Sequence, residues 1–161
     1  MRGSRPGAAA ALALTVAFAV HAALGASLEI AGCRPNLAAA ALLVVCMFSG
    51  PARAAGFGLL VGVLEAGYAA GLVGSYIVSR TLVAYVVGSL EARVFRDSAA
   101  VAAAIVLLGT LALECVFAIF APPPSALSWV LRTGGTVLAN GALAPLLYFC
   151  LRPVASDREE S

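Results

Sequence analysis

The sequence predicts an all-α protein that crosses a membrane several times, and three observations lead to this fold class. Hydrophobic residues make up 62% of the 161 residues and charged residues only 11%, against about 25% in an average soluble domain. The mean hydropathy is +1.01. The polar stretches between apolar runs are too short for a separate soluble domain. We therefore predict one integral membrane domain over residues 1–161.

Six apolar runs are candidates for membrane spans, because a spanning helix needs about 20 apolar residues. The second run is short and leaves open a tilted helix, a helix extended past Pro51 or a re-entrant segment. The first run, with Ala23 and Gly25 near its end, also fits a cleaved secretory signal. We favour a retained first span, because cleavage would leave five. The predicted spans are residues 7–28, 36–50, 54–71, 74–90, 98–121 and 132–151.

Basic residues orient these spans, because Lys and Arg accumulate in cytoplasmic loops. With the N-terminus inside, seven arginines are cytoplasmic and only Arg34 and Arg132 face out. Both termini are therefore predicted to be cytoplasmic. The segment APPPSALSW is predicted to be a non-helical outer loop. The seven arginines are Arg2, Arg5, Arg53, Arg93, Arg96, Arg152 and Arg158.

Polar residues inside the spans are predicted to share one depth. Glu65 lies about seven residues before the turn near Leu72, and Arg80 about seven after Val73, so both sit roughly 10 Å below the outer boundary. An antiparallel helix pair would let this carboxylate and this guanidinium form an ion pair. The same count places three further polar residues in this layer: His21, Glu114 and Asn140.

The five residues are predicted to form a polar cluster inside the bundle, since a central charge costs about 2.5–3.5 kcal/mol in lipid. We favour a structural role in which the cluster fixes the register of the helices. A ligand pocket and a proton relay are the alternatives.

Small residues and one proline predict how the helices pack. Gly58 and Gly62, like Gly67 and Gly71, have the small-x-x-x-small spacing that lets two helix backbones approach closely. Pro145 should kink the last span and free a backbone carbonyl that Asn140 or a neighbouring helix satisfies.

Motifs for catalysis and for cofactors are missing from the sequence. It contains no G-x-S-x-G, H-E-x-x-H or Walker motif. The cysteines Cys33, Cys46, Cys115 and Cys150 are too widely spaced for a zinc site or a disulfide framework. We therefore expect no enzymatic activity, no metal, no other cofactor and no nucleic-acid partner.

Five segments follow one another in a recognisable order between Cys33 and Arg152. They are CRPNLAAAALLVVCMFSGP, GFGLLVGVLEAG, VGSYIVSRTLVAYVVGSLEARVFRD, LALECVF with its mid-span acid, and LANGALAPLLYFCLR. The most specific positions are Arg34, Pro35, Asn36, Glu65, Tyr85, Phe95, Arg96, Asn140 and Pro145. Together these segments resemble the family of the bacterial rod shape-determining protein MreD.

The resemblance has one clear departure. Where the family usually has an aspartate followed closely by Ser-Gly, this chain resembles it with Glu65 followed by AGYAAG and one residue inserted before Gly74. Tyr76 and Arg80 also stand where the family usually has other residues.

The resemblance implies a non-enzymatic scaffold in the cell-elongation machinery. The implied partners are an MreC-like protein, an MreB-like actin filament, and a RodA-type glycosyltransferase with its transpeptidase, which together direct lateral peptidoglycan synthesis. The family is also similar in fold to the six-helix substrate-binding subunits of energy-coupling-factor transporters. A vitamin transporter subunit is therefore the main alternative, with a cell-wall enzyme or lipid flippase third.

Overall fold

Six α-helices make up the computed structural model, which describes residues 5–24, 27, 33–69, 71–90 and 98–155. No strand occurs within these ranges, so the all-α prediction is confirmed. The helices are α1 Arg5–Leu24, α2 Leu37–Met47, α3 Pro51–Ala69, α4 Val73–Ser89, α5 Ala99–Phe120 and α6 Ala126–Ala155. Six residues that the sequence-based predictions name lie outside the described ranges: Arg2, Gly25, Arg93, Phe95, Arg96 and Arg158.

Three of the helices, α1, α5 and α6, are long and apolar enough to cross a membrane. Their apolar segments are 18, 22 and 29 residues long, which matches the length that a bilayer requires. The chain is therefore a membrane protein by the length and composition of these helices.

Helix α2 lies at the centre of the bundle and packs against all five other helices. Its residues from Ala38 to Met47 are all buried. With 11 residues it is about 16 Å long, roughly half the thickness of a hydrocarbon core. It ends at Met47, and a separate helix begins at Pro51, so the second run does not continue past this proline as one helix. The short predicted span is thus a short buried helix.

Helices α3 and α4 form a tight antiparallel hairpin. A Cβ atom at Gly58 would lie 2.5 Å from the Arg80 carbonyl oxygen, and one at Gly62 would lie 2.9 Å from the Ile77 Cα. These glycines allow the close approach that their spacing predicted. At Gly67 and Gly71 an added Cβ would meet nothing within 4 Å, so these two glycines make no close approach to another helix of this chain. These two glycines lie beyond the region where the backbones cross closely.

Helix α6 begins earlier than predicted. It starts at Ala126 and is 30 residues long, so the ALSW part of the expected outer loop is helical. The prolines that exclude helix end at Pro124, and the Ser125 hydroxyl then accepts a hydrogen bond of 3.5 Å from the Ser128 N–H. The helix also continues through Pro145 to Ala155.

Candidate functional site: a buried polar network

Glu65 and Arg80 form an ion pair between α3 and α4. The Nε atom of Arg80 donates to Oε2 of Glu65 at 2.5 Å, and the two side chains are only 2% and 5% exposed. The pairing that the residue count predicted is therefore present. Gly58 makes it possible, because the absence of a side chain there brings the two backbones together beside Arg80.

Further hydrogen bonds reach both members of this pair. The Nδ2 atom of Asn36 donates to Oε1 of Glu65 at 2.7 Å, so both carboxylate oxygens accept a hydrogen bond. The Nη1 atom of Arg80 donates to the Ser79 hydroxyl at 2.9 Å. These hydrogen bonds to Glu65 and from Arg80 offset part of the free energy that burying two charges requires.

Aromatic rings enclose the guanidinium of Arg80. Its Cζ atom lies 4.9 Å from the ring centre of Tyr76 and 5.7 Å from that of Phe117. The two rings contact each other edge to face, with their centres 4.8 Å apart. The π faces attract the cation while keeping it away from lipid, so α5 contributes to the charged site through Phe117.

Asn36 links the ion pair to the central helix. Its Oδ1 atom accepts a hydrogen bond of 2.9 Å from the Ala39 N–H and thereby caps the N-terminus of α2. The positive end of the α2 dipole therefore lies next to the Glu65 carboxylate, which is the favourable orientation. One side chain thus orders a helix end and positions a buried acid.

Asn140 extends the connections to the last two helices. Its Oδ1 atom accepts a hydrogen bond of 2.8 Å from the Asn36 N–H, and its Nδ2 atom donates to the Thr110 hydroxyl at 3.2 Å. The described hydrogen bonds of the Asn140 side chain go to Asn36 and Thr110, and none of them joins it to a carbonyl freed by Pro145. We call the six connected residues the polar network: Ser79, Arg80, Glu65, Asn36, Asn140 and Thr110.

Two residues of the predicted cluster lie beside the polar network and are not joined to it. Glu114 on α5 is partly exposed and forms no hydrogen bond or ion pair with any described residue, although Arg80 and Glu65 are within electrostatic range. The Nδ1 atom of His21 on α1 is buried without a hydrogen-bond partner, within range of the Glu65 charge. The structure therefore joins three of the five residues and places the other two nearby.

The family-motif positions are spread over the molecule. Pro35 is buried beside Asn36, whereas Arg34 is exposed and its carbonyl oxygen accepts a hydrogen bond of 3.0 Å from the Thr136 hydroxyl. Tyr85 is 50% exposed on the outer face of α4. It borders an apolar groove of about 390 Å³ between α3 and α4. Pro145 is partly buried in α6.

Sequence reasoning missed the central role of Asn36, because the residue is the first of the second predicted span and was not counted for depth. A usable signal existed, since an Asn directly before an apolar run is a typical helix N-cap. Ser79, Thr110 and Gly88 carried no distinct signal. At Gly88, an added Cβ would lie 2.5 Å from the Cβ of Ala54, so a second close contact joins α4 to the start of α3.

The polar network can hold five helices in one arrangement, but it presents no nucleophile with a paired base. Within the described ranges, no three His, Cys, Asp or Glu side chains are placed to hold a metal ion. The fold and the site together define a helical membrane protein with a buried ion pair. No family model matches this chain, and neither a curated protein nor a solved structure matches it.

Proposed function

We propose that this protein is a non-enzymatic membrane scaffold of the MreD type, acting in the bacterial cell-elongation machinery. In this proposal all six helices belong to a six-span bundle in the inner membrane, with both termini in the cytoplasm. The bundle has the fold of the substrate-binding subunits of energy-coupling-factor transporters and serves to dock other membrane proteins. Its partners are the MreC-like, MreB-like and RodA-type proteins and the transpeptidase.

The observation that carries the proposal is that the charged and amide groups of the polar network are buried and hydrogen-bonded within the chain. Glu65, Arg80 and Asn140 are 4%, 2% and 0% exposed, and each is hydrogen-bonded to another residue of the chain. A binding pocket for a polar solute would instead present such groups to an opening. This favours a structural role for the network over the transporter alternative, because satisfied buried groups set helix register and resist rearrangement.

The outer surface of the bundle gives further support. Large apolar side chains are exposed on several helices, as at Leu108, Leu138 and Phe149, where 69%, 70% and 65% of the residue is accessible. In a membrane such surfaces contact lipid or the helices of other proteins. The order of the sequence segments from Cys33 to Arg152 is what directs the choice of partners to the elongation machinery.

Depletion of the protein in its host tests this proposal. Cells should become wide and rounded and should lose lateral incorporation of a fluorescent D-amino acid into the cell wall. Re-expression of the wild-type protein should restore both, and an Arg80→Ala variant should restore neither. Unchanged shape after verified depletion, or growth that instead depends on an added vitamin, would overturn the scaffold proposal.

A further inference from the structure

Glu114 is a carboxylate that the fold leaves without a direct partner. It lies on α5, about six residues before the end of this helix at Phe120, and forms no hydrogen bond or ion pair with any residue in the described ranges. Its position within an apolar segment of 22 residues makes an unpartnered carboxylate costly in a bilayer. The chain alone does not offset this cost through a direct contact.

Among the described residues, two cations lie within electrostatic range of Glu114, of which Arg80 is bonded to other residues and Arg132 is exposed. Arg80 already donates to Glu65 and Ser79 and is enclosed by two rings. Arg132 on α6 is exposed and is within electrostatic range of Glu114 without forming an ion pair with it. The carboxyl group of Glu114 thus remains available to a cation from outside the chain.

The face of α5 next to Glu114 is apolar and unoccupied by this chain. Leu108, Leu111 and Ile119 are 69%, 43% and 73% exposed, and Cys115 is exposed as well. These residues recur every three or four positions and so form one stripe along the helix. Glu114 stands at the edge of this stripe, between Leu111 and Cys115 in height.

We propose that Glu114 and this stripe of α5 form the docking surface for a partner transmembrane helix that carries a Lys or Arg side chain at the same depth. Charge complementarity identifies the occupant, because a lipid chain covers the apolar stripe but does not neutralise the carboxylate. A basic side chain on the partner would supply the missing ion pair in a medium of low dielectric constant. This inference rests on the proposed scaffold role, but not on which machinery the scaffold serves.

A model helix of known sequence tests the surface directly. The probe is a leucine-rich transmembrane helix with a cytoplasmic tag that fixes its orientation, one guest residue at the depth of Glu114 and a cysteine beside the guest. It is co-expressed with the full-length protein carrying Cys115 as its only cysteine, and disulfide crosslinking is induced by oxidation. A lysine guest should crosslink on the order of tenfold more than a leucine or glutamate guest.

Two matched variants show which group is responsible. In Glu114→Gln, the lysine guest should crosslink no better than the leucine guest. A Leu131→Cys protein without the native cysteines places the crosslinking site at an exposed position of α6, five residues from the start of this helix as Cys115 is from the end of α5, and it should show no preference for lysine. If Glu114→Gln folds poorly, the inference is still tested by comparing the lysine, leucine and glutamate guests on the protein that retains Glu114.

Three outcomes would overturn the inference. Equal crosslinking of lysine and leucine guests would show that the face does not select a cation. A lysine preference that persists in Glu114→Gln would assign the selection to another group. A preference that emerges only after Arg132→Ala would show that the chain neutralises Glu114 itself. None of these depends on cell shape, so failure here and failure of the proposed elongation role are distinguishable.

Discussion

Asn36 donates a hydrogen bond of 2.7 Å to Glu65 while its own side-chain oxygen caps the helix that begins one residue later. A buried acid and a helix N-terminus are therefore held by the same amide group. Through its backbone N–H, Asn36 also reaches Asn140 on α6. Damage to this residue should therefore affect the packing of several helices at once.

Asn36→Asp should destabilise the protein although aspartate caps helices as well as asparagine does. The new carboxylate would face Oε1 of Glu65 at hydrogen-bond distance and would lack the donor that Nδ2 provides. We expect a loss of about 1–3 kcal/mol, measured by SDS-induced unfolding in micelles. Asn36→Ser, which keeps a capping oxygen without adding charge, is the control and should lose less. Equal stability of Asn36→Asp and wild type would contradict the hydrogen bond to Glu65.

Replacing one member of the Glu65–Arg80 ion pair should lower the stability of the protein more than replacing both members. Glu65→Gln or Arg80→Met leaves one buried charge unpaired, at a cost of about 3 kcal/mol, whereas the double variant leaves none. We therefore expect the double variant to be more stable than either single variant. Unfolding free energies of the four proteins give the coupling energy directly. Additive losses would argue against a direct pair.

Two glycines of α3 should respond in opposite ways to alanine. Gly58→Ala places a Cβ 2.5 Å from the Arg80 carbonyl oxygen, so α3 and α4 must separate and the protein should lose stability. Gly67→Ala meets open space and should be neutral or stabilising, by up to about 1 kcal/mol from helix propensity. Thermal unfolding in the same detergent compares them. A larger loss at Gly67 than at Gly58 would contradict the hairpin geometry.

The turn between α3 and α4 contains a strained residue. Leu72 has φ of 55° and ψ of 34°, in the left-handed region that leucine rarely adopts, and its side chain is 58% exposed. Leu72→Asn should raise stability by about 0.5–1 kcal/mol, because asparagine tolerates this region and little packing is lost. Leu90→Asn, at an exposed residue with an ordinary negative φ, is the matched control and should show no gain. A fall in the melting temperature of Leu72→Asn would contradict the assigned backbone conformation.

The amino-acid sequence by itself determined the class of the protein and the main polar pair. Apolar composition and run length predict helices in a membrane, because backbone groups in lipid are satisfied only within helices or closed barrels. Counting residues from the α3–α4 turn was enough to pair Glu65 with Arg80, because depth along two adjacent antiparallel helices follows from the rise per residue alone. The small-x-x-x-small spacing of Gly58 and Gly62 likewise predicted their close approach to a neighbouring helix.

Only the tertiary structure decided which polar groups share an interface. Depth counting cannot supply the rotation of a helix about its axis, so Glu114 and His21 were placed in the cluster although they lie beside it. It also passed over Asn36, whose place in the polar network depends on where α2 starts within the bundle. Sequence alone also did not show that the short helix α2 is enclosed by the five other helices and buried on every face, because enclosure depends on how those helices pack around it.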